Sequence, residues 1–526
     1  PETGVEPAFN RRLAILLAMA MFVLVVDTSL MNVSISAVVR DIGATVSDVQ
    51  SAIALEALVS AAFILIGGKV ADLIGRKRAY VLGLCAYGVG AVSMTLAQSI
   101  VPIIVFWAVI GGIGAALLLP GMQALIHGNF SGPSQKRVYA LVGASAAIAA
   151  AVGPLIGGFL TTALSWRVGF LMEAVIIAVV LSGIGLVRDV PYAGPREIDL
   201  VGAALSVLGM GGLVLGILVW QEGGEAVGAL IAVGLVGLGS LAYWLVRRKR
   251  AAKPALVDPA LFSSIHFRLG ISSQMLQQIA LGGAMITLPI FLQMVLEYNA
   301  LQAGLSLAPL SLSMFGVSML AGRKAADRRP AGIIRWGFLL LLVGLVTVVV
   351  VVPRAHSGWA LAPELIVAGS GLGLLVSQLN NYTLAPIGEE RVSEAAAVNS
   401  AAGSFGLSFG LAFAGAIMLA ALSATFTAKA DSSDVLTTAQ QDQVARALED
   451  DAQVMSNTQL QAQLAHEPPD VQAEIIRINT DTRPLALQIG LAIPILASLV
   501  GLGTSFRMIR LPDLEPSGTG ERLDLG

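Results

Sequence analysis

The feature that most constrains this chain is a series of long apolar runs, nearly free of charge, that recur from Leu13 almost to the C-terminal end. A membrane-spanning helix needs about 20 such residues, and every backbone polar group must be satisfied inside the segment. Only 13% of the residues are charged, and the mean hydropathy is +0.80. The sequence therefore predicts an all-α polytopic membrane protein.

Fourteen spans are predicted from these runs, with charges, Gly or Pro clusters and aromatic residues at their ends. The spans are 13–35, 47–69, 79–98, 101–127, 137–163, 166–187, 198–220, 225–246, 268–296, 302–322, 331–353, 359–384, 394–424 and 484–508. Five of the six tryptophans lie at span ends, where their amphipathic rings suit the membrane interface: Trp166, Trp220, Trp244, Trp336 and Trp359.

The distribution of Lys and Arg predicts the orientation of the chain. With the N-terminus inside, 25 of the 32 basic residues fall on the cytoplasmic side and seven on the external side. Membrane proteins carry such an excess in their cytoplasmic loops, and an odd number of spans would scramble it. We therefore expect both termini in the cytoplasm.

Several other kinds of site are excluded. Cys85 is the only cysteine, which excludes an internal disulfide and a cysteine-based metal cluster. The formal net charge of −2 gives no support to nucleic-acid binding. The four histidines lie at span ends or in loops, so we expect no histidine relay inside the membrane. The sequence has no HExxH, GxSxG or P-loop motif, which argues against an enzyme and against ATP-driven pumping.

The one long loop, 425–483, is predicted to lie outside. It carries ten acidic residues against four basic ones. The stretch from Val444 to Leu460 has the pattern of a surface helix, and Pro468-Pro469 would break it. Two interpretations remain open for this loop, a solvated flap and a functional lid or partner surface.

The loop after the second span reads GKVADLIGRKR from Gly68 to Arg78. Gly68 would allow close approach of two helices, and Gly75 would supply a tight turn. Asp72 can accept charge-assisted hydrogen bonds from Arg76 and from a neighbouring helix end. The pattern closely resembles the Gly-x-x-x-Asp-x-x-Gly-Arg-Lys/Arg loop of the major facilitator superfamily, which implies a gate that closes the cytoplasmic side. The residues of this predicted gate are Gly68, Asp72, Gly75, Arg76 and Lys77.

A weaker copy of this loop, KAADRR, begins at Lys324 after the tenth span, 255 residues beyond Lys69. An internal repeat of this kind is typical of transporters with two related halves. The sequence therefore predicts a six-helix bundle at 10–190, two inserted helices at 195–250 and a second six-helix bundle at 262–510 that includes the external loop. We expect the inserted pair to face lipid, outside the transport core.

The fifth span contains a Gly-Pro-x-x-Gly-Gly sequence that resembles the motif of the superfamily's exporters. Small residues permit close helix packing, and proline kinks a membrane helix. With fourteen spans and a long loop before the last, the chain is similar to the fourteen-helix drug:proton antiporters. The residues of this motif are Gly143, Gly153, Pro154, Gly157 and Gly158.

The fourth span departs from that family. The resemblance implies an arginine there that takes part in proton coupling, but the aligned residue is Ala108 and no basic residue lies between Val101 and Ile126. A tyrosine common in the second span is replaced by Glu56, and an asparagine common in the sixth by Glu173. The arginine-assisted relay therefore cannot be transferred to this chain.

Three carboxylates within the spans, Asp27, Glu56 and Glu173, are the predicted proton and substrate site. Ionisable groups inside a membrane are costly, and they face interiors or water. At 1.5 Å per residue, the three lie within about 5 Å of one another in depth. Alternatives remain: Asp27 as a structural acid bonded to Thr28 or backbone, Glu56 facing headgroups, and a structural role for Glu173.

Amide side chains in the second half are predicted either to line a cavity or to join helices by hydrogen bonds. These candidates are Gln274, Gln278, Gln293, Gln378 and Asn381. The resulting functional prediction is a proton-coupled exporter of lipophilic or cationic compounds that works by alternating access. The alternative is an exporter or flippase of lipids on the same fold. We expect no cofactor, a monomer surrounded by membrane lipids, and a bacterial plasma membrane as the location.

Overall fold

The computed structural model describes residues 10–130, 132–189, 199–221, 226–324, 329–384, 386–387, 392–442 and 456–512. Among the predicted site residues, the side chains of Asp72 and Asn381 and the surroundings of Gly143 lie outside the described part of the chain, as does most of the second copy of the gate loop.

Every long regular element in these ranges is a helix. The helices are α1 (Arg11–Ile42), α2 (Val46–Ile74), α3 (Arg76–Leu96), α4 (Ile100–Pro102, Ile103–Gly111 and Gly112–Asn129), α5 (Gly132–Ala163), α6 (Trp166–Ser182), α7 (Leu200–Gln221), α8 (Val227–Arg250), α9 (Ile265–Ile290, continued by Phe291–Val295), α10 (Ala300–Lys324), α11 (Pro330–Val351), α12 (Ala362–Leu384), α13 (Val392–Asp431), α14 (Asn457–Gln463), α15 (Pro469–Gly490) and α16 (Ala492–Arg510).

Thirteen helical stretches in the described ranges are long and apolar enough to cross a membrane. The fifth predicted span lies on α5, where the continuous described apolar stretch is the shorter Val152–Ala163. The protein is therefore an integral membrane protein with an all-helical fold, and the count of fourteen spans stays a prediction.

The connection from α1 to α2 shows how local chemistry sets helix boundaries. Gly43 ends α1 in the left-handed conformation, with φ of 67°, which glycine adopts without strain. Thr45 then begins α2 with a capping box. Its hydroxyl accepts from the Asp48 N–H at 3.0 Å, and the Asp48 carboxylate accepts from the Thr45 N–H at 2.8 Å.

α4 is not a uniform α-helix, because residues Ile103–Gly111 form a π-helix. Such wide turns are rare and are found mostly at functional sites. Glycine follows directly, and a Cβ atom on Gly112 would lie 3.0 Å from the Glu56 carbonyl oxygen of α2. The glycine thus permits close contact between α2 and α4 just after the π-helix.

The chain forms two compact units, 1–198 with 298–308, and 199–297 with 309–526. In the first unit α1 packs along α5, and α4 lies against both α2 and α3. Hydroxyl groups join the first pair: Ser145 donates to the Ala18 carbonyl at 2.6 Å, and Ser34 and Thr161 share a 2.7 Å hydrogen bond. Polar bonds of this kind are a common means of joining membrane helices.

In the second unit the inserted helices α7 and α8 pack closely on each other, and α7 also contacts α13. The Trp220 and Phe413 rings lie 6.5 Å apart at that contact. Most of α8 is exposed, with only Gly234 and Gly237 buried. An exposed apolar helix in a membrane protein contacts lipid, and the position of the inserted pair outside the transport core stays a prediction.

The described parts of the 425–483 loop are folded, so the interpretation as a solvated flap is wrong for them. α13 continues to Asp431, and α15 begins at Pro469, far ahead of the predicted span. The two helices and the short α14 enclose an apolar cluster of Phe426, Ala430, Leu436, Val471, Ile475 and Ile478. Residues 443–455, most of the predicted surface helix, lie outside the described ranges.

Arg483 anchors the hairpin formed by the end of α13, α14 and α15, although its charge suggested an exposed loop position. It is only 2% exposed. Its guanidinium donates to the Met294 carbonyl at 2.7 Å and to the Asn457 side-chain oxygen at 3.0 Å. Beside it, the Glu297 carboxylate accepts from the backbone and the hydroxyl of Thr458, at 3.1 and 2.6 Å. These hydrogen bonds attach α14 and α15 to the C-terminal end of α9.

We expect Arg483→Met to destabilise the hairpin, because it leaves buried oxygens without their charged donor. The loss should be about 2–4 kcal/mol of unfolding free energy. The matched control is Arg477→Gln on the same helix, whose exposed side chain pairs with Glu474 at 2.7 Å. An exposed ion pair contributes about 0–1 kcal/mol. Thermal unfolding and limited proteolysis of the loop measure both variants, and equal effects would contradict the anchoring role.

Candidate functional site

Asp27 lies near the middle of α1 and is almost fully buried, at 1% exposure. Its carboxylate accepts three hydrogen bonds from two neutral donors. The Tyr87 hydroxyl lies 2.6 Å from one oxygen, and the Trp107 indole N–H lies 3.0 Å from both. Hydrogen bonds to an ionised acceptor are stronger than neutral ones, so these donors stabilise the carboxylate in its buried position.

The packing of α3 against the π-helix brings the two donors to Asp27. A Cβ atom on Gly90 would lie 3.1 Å from the Phe106 carbonyl oxygen, so glycine permits this approach without displacing the neighbouring helix. The Trp107 ring is held from the other side by Phe170 of α6, edge to face at 6.4 Å. The indole N–H is thus positioned by its neighbours before any ligand binds.

Glu173 of α6 lies beside Asp27 and is completely buried. The two carboxyl groups are close enough to interact electrostatically. Among the described residues, neither oxygen of Glu173 meets a donor with good hydrogen-bond geometry. Two adjacent buried carboxylates repel each other strongly when both are ionised. A shared proton or a nearby cation would therefore relieve the repulsion between the two carboxylates.

Glu56 of α2 completes the cluster. Its carboxyl group is close enough to those of Asp27 and Glu173 for electrostatic interaction. The groups that act on Asp27 and Glu56 in the described part of the chain are acids and neutral donors, with no Lys or Arg among them. We call Asp27, Glu56, Glu173, Tyr87 and Trp107 the acidic cluster. Its three acids can exchange protons or hold a cation.

The structure thus brings together the three acids predicted from the sequence. Asp27 is bonded to α3 and α4, and Thr28 is not among its observed hydrogen-bond partners. The sequence interpretation missed Tyr87 and Trp107. A signal was present for Trp107, since it is the one tryptophan away from a span end and it directly precedes Ala108, where an arginine was expected.

The predicted gate loop is hydrogen-bonded to the segment after α6. Gly75 has φ of 101°, which confirms that glycine is needed for this turn. The Lys77 ammonium donates to the Val187 carbonyl at 2.8 Å, and its backbone N–H donates to the Asp189 carboxylate at 3.2 Å. Asp189 was not among the predicted residues of the gate loop. The side chain of Asp72 lies outside the described part of the chain, so its role in the gate stays a prediction.

One detail of the predicted loop is wrong. The close helix approach assigned to Gly68 belongs to Gly67, because a Cβ atom on Gly67 would clash with the Ala116 carbonyl group of α4. A Cβ atom on Gly68 would make an ordinary 3.8 Å contact with Pro120. Adjacent residues point about 100° apart on a helix, so an error of one position changes which glycine faces the neighbour.

We expect Gly75→Ala to destabilise the turn between α2 and α3, because an alanine at this φ is strained and its Cβ would approach the Asp189 carboxylate at 3.3 Å. The cost should be about 1–2 kcal/mol. Gly185→Ala is the control, since a Cβ there has nothing within 4 Å. Thermal stability of both variants at equal expression is the measurement, and a Gly75→Ala variant as stable as the control would contradict this account.

The glycines of the α5 motif permit close packing on two sides. Cβ atoms on Gly153 and Gly157 would crowd Ser29 and Leu30 of α1, at 2.7 and 2.9 Å. Gly158 faces the beginning of α10, where a Cβ would lie 2.8 Å from the Leu301 Cα. The Leu301 N–H also donates to the Thr162 hydroxyl at 3.0 Å. In return, Gly304 of α10 makes room for the carbonyl group of Pro154.

The amides of the second unit fall into separate groups. Gln274 and Gln278 of α9 lie together beside Gly403 of α13. Gln378 of α12 is buried, and Gln293 is buried on the π-helical end of α9. A hydrogen bond joins α12 and α13: the side-chain amide of Asn399 donates to the side-chain oxygen of Asn380 at 2.7 Å.

Comparison with known proteins agrees with this architecture. The family model described as "Major Facilitator Superfamily" matches residues 17–411. The chain belongs to the Major Facilitator Superfamily. This confirms the resemblance first seen in the GKVADLIGRKR loop.

Curated relatives are named for drug or antibiotic resistance or for transport. The chain is 30% identical to the puromycin resistance protein pur8 of Streptomyces alboniger, over 76% of this chain and 80% of that protein. It is 25% identical to the probable actinorhodin transporter of Streptomyces coelicolor, over 77% and 72%. It is 26% identical to the multidrug resistance protein Stp of Mycobacterium tuberculosis, over 77% and 75%.

Solved structures of the superfamily share the fold. A bacterial homologue of the human lysosomal transporter Spinster matches with a TM-score of 0.64 at 13% identity, over 96% of this chain and 98% of that one. The POT family transporter PepTSo matches with a TM-score of 0.63 at 12% identity, over 95% of this chain and 99% of that one. At such low identity these structures support the fold of this transporter-family member and no more.

Proposed function

We propose that this protein exports lipophilic cations and related drug-like compounds in exchange for protons. The observation that carries the proposal is the buried acidic cluster, in which Asp27 and Glu173 adjoin each other with Glu56 nearby. Intramembrane acids without a basic partner are sites for protons and cations by default. The names of the resistance proteins among its relatives support small-molecule substrates.

The exchange follows from competition between the proton and the cation. In the absence of substrate, a proton relieves the repulsion between adjacent carboxylates. A cationic substrate near the cluster offers the same relief, so it favours release of the proton. Protonation from the other side of the membrane then favours release of the cation. Alternating access by two bundles converts this competition into transport.

Among the residues that the structure describes, no Lys or Arg acts on Asp27 or Glu56, which is consistent with this scheme. Tyr87 and Trp107 stabilise the Asp27 carboxylate by hydrogen bonds but bring no positive charge. A fixed cation at this place would repel a cationic substrate. We propose that Tyr87 and Trp107 position the Asp27 carboxylate in place of the arginine of similar transporters. The cationic substrate then supplies the positive charge.

The remaining features of the proposal concern the surroundings. Fourteen spans would place both termini in the cytoplasm of a bacterium, with the proton gradient of the plasma membrane as the source of energy. Amides such as Gln274 and Gln278 would offer substrates a neutral polar surface. We expect the protein to act as a monomer, without a cofactor.

Proton release is the direct test. Purified protein in weakly buffered detergent, with a pH-sensitive dye, should release protons when tetraphenylphosphonium is added. The Kd for tetraphenylphosphonium should fall by up to about tenfold for each unit rise in pH, where one proton is exchanged per cation. The double variant Asp27→Asn, Glu56→Gln should release far less. Unchanged release from this variant would contradict the scheme, and no release from the wild type would favour an uncoupled lipid exporter.

Glu56→Gln should weaken cations more than neutral compounds, because it removes one negative charge and keeps the size of the side chain. We expect about a 5- to 10-fold rise in Kd for tetraphenylphosphonium, equivalent to about 1 kcal/mol. A neutral lipophilic substrate should change by less than about twofold. Glu467→Gln on the external surface controls for general loss of charge. Equal weakening of cationic and neutral compounds would show that Glu56 has no electrostatic role.

A further inference from the structure

The first unit has an apolar groove on its outer surface, separate from the acidic cluster. It runs between α3, the beginning of α4 and α6, and its volume is about 720 Å³. This lies within the range of ligand pockets, about 300–1,000 Å³. Its walls include Val89, Val92, Leu96, Phe106, Ile177 and Leu181.

The groove opens toward the membrane. Val92 and Leu96 of α3 are 48% and 69% exposed, and Phe106 of α4 is 40% exposed. These residues belong to helices that are long and apolar enough to span the membrane, so hydrocarbon and not water surrounds them. The polar side chains of the lining are the Ser93 hydroxyl and the Cys85 thiol. A chain of methylene groups suits such a surface, since an apolar cavity excludes water.

Three helical walls distinguish the groove from an ordinary lipid-facing surface. A hydrocarbon chain on the exposed face of α8, for example, would touch a single convex helix, because α8 has only two buried residues along its length. A chain in the groove would contact α3, α4 and α6 together. Dispersion attraction grows with the number of close atoms. A hydrocarbon chain should therefore stay bound in the groove for a longer time than on the open surface.

The same three walls carry parts of the acidic cluster. Phe106 directly precedes Trp107, Gly88 directly follows Tyr87, and Ile177 lies one turn beyond Glu173. Gly88 also leaves space against Ile177, where a Cβ would lie 3.3 Å from the nearest methyl group. The groove is therefore lined by the same helix segments that carry Tyr87, Trp107 and Glu173 to Asp27.

We propose that this groove is a binding site for one acyl chain of a membrane phospholipid. The groove is continuous with the lipid-facing surface of α3 and α6, and that continuity identifies the occupant. The bound chain fills the space between the three helices, and so supports the packing that holds Tyr87 and Trp107. The lipid site itself does not depend on the proposed transport activity.

Photo-crosslinking tests the proposal on the full chain in nanodiscs. The probe is phosphatidylcholine with a diazirine in the middle of one acyl chain, and the products are mapped by peptide mass spectrometry. We expect at least a fivefold higher yield per exposed residue at residues 84–97 and 174–181 than on the exposed face of α8. Equal yields on the two surfaces would reduce the groove to ordinary lipid contact and overturn the proposal.

A pair of neighbouring substitutions on α6 gives the matched control. Ala178 is exposed and lines the groove, so Ala178→Phe should fill it and lower the groove yield at least threefold. Val179 is 44% exposed and is not part of the lining, so Val179→Phe should leave the yield unchanged. Equal yields from the two variants, or loss of the crosslink on addition of tetraphenylphosphonium, would contradict a phospholipid site. The second result would indicate a substrate site instead.

Cys85 provides a measurement that needs no substitution, because it is the only cysteine and its exposed thiol lines the groove. In detergent, its reaction with N-ethylmaleimide should slow at least fivefold when phosphatidylcholine is added back. The rate for a small thiol peptide in the same mixture corrects for partition of the reagent. An unchanged rate for Cys85 would contradict occupancy by the lipid.

Discussion

Asp27→Asn is expected to abolish transport of tetraphenylphosphonium driven by a pH gradient. Asparagine keeps the volume of the side chain and one of the oxygens that accept from Tyr87 and Trp107. It cannot ionise, so it cannot exchange a proton for a cation. We expect the rate in proteoliposomes to fall at least about 50-fold, which is more than about 2 kcal/mol of lost coupling.

The measurement compares uptake with and without an imposed pH gradient at equal amounts of inserted protein. Asp434→Asn is the control, because this exposed acid lies just after α13 and not in the acidic cluster. It should transport at the wild-type rate. Normal gradient-driven transport by Asp27→Asn would remove Asp27 from the coupling scheme. Loss of transport in both variants would point to a general effect of charge.

The second large effect is expected from Trp107→Phe and Tyr87→Phe. Each substitution removes one donor to Asp27 and keeps an aromatic ring, so that packing against Phe170 can persist. A hydrogen bond to a charged group contributes about 1.5–3 kcal/mol. We therefore expect each variant to lower gradient-driven transport by roughly 10- to 100-fold.

Matched substitutions elsewhere separate this role from general damage. Trp336→Phe and Tyr243→Phe change side chains that are 54% and 69% exposed, and both should be neutral. Trp107→Phe should have little further effect in the Asp27→Asn background, because the two residues act through one interaction. Additive losses in that double variant, or equal losses in the controls, would contradict the positioning role.

The helices and the family could be predicted from the sequence. A membrane helix satisfies its backbone within its own segment, so apolar runs show where helices form without knowledge of their neighbours. Most predicted spans coincide with observed helices for this reason, although α13 and α15 extend beyond the spans predicted on them. The chemistry of the loop is also local, and the positive φ at Gly75 follows from the need for a tight turn between α2 and α3.

The three acids were also accessible from the sequence. A carboxylate inside an apolar run is costly, so Asp27, Glu56 and Glu173 stand out as candidates wherever their partners lie. Their similar depths followed from the helix rise alone. Arg483 shows where this reasoning ends. Its charge suggested a loop, whereas it is buried because α15 carries it against Met294 and Asn457.

Only the tertiary structure decided which side chains meet. Tyr87 and Trp107 are 60 and 80 residues from Asp27, and nothing in three almost uniformly apolar helices shows which face each one turns inward. The rotation of α2 about its own axis was equally unknown. For this reason the close contact predicted at Gly68 belongs to Gly67. Hydropathy determines that a segment crosses the membrane, since this depends on transfer from water to lipid. The contacts between helices depend on the shape of their surfaces, which becomes defined only when the helices pack.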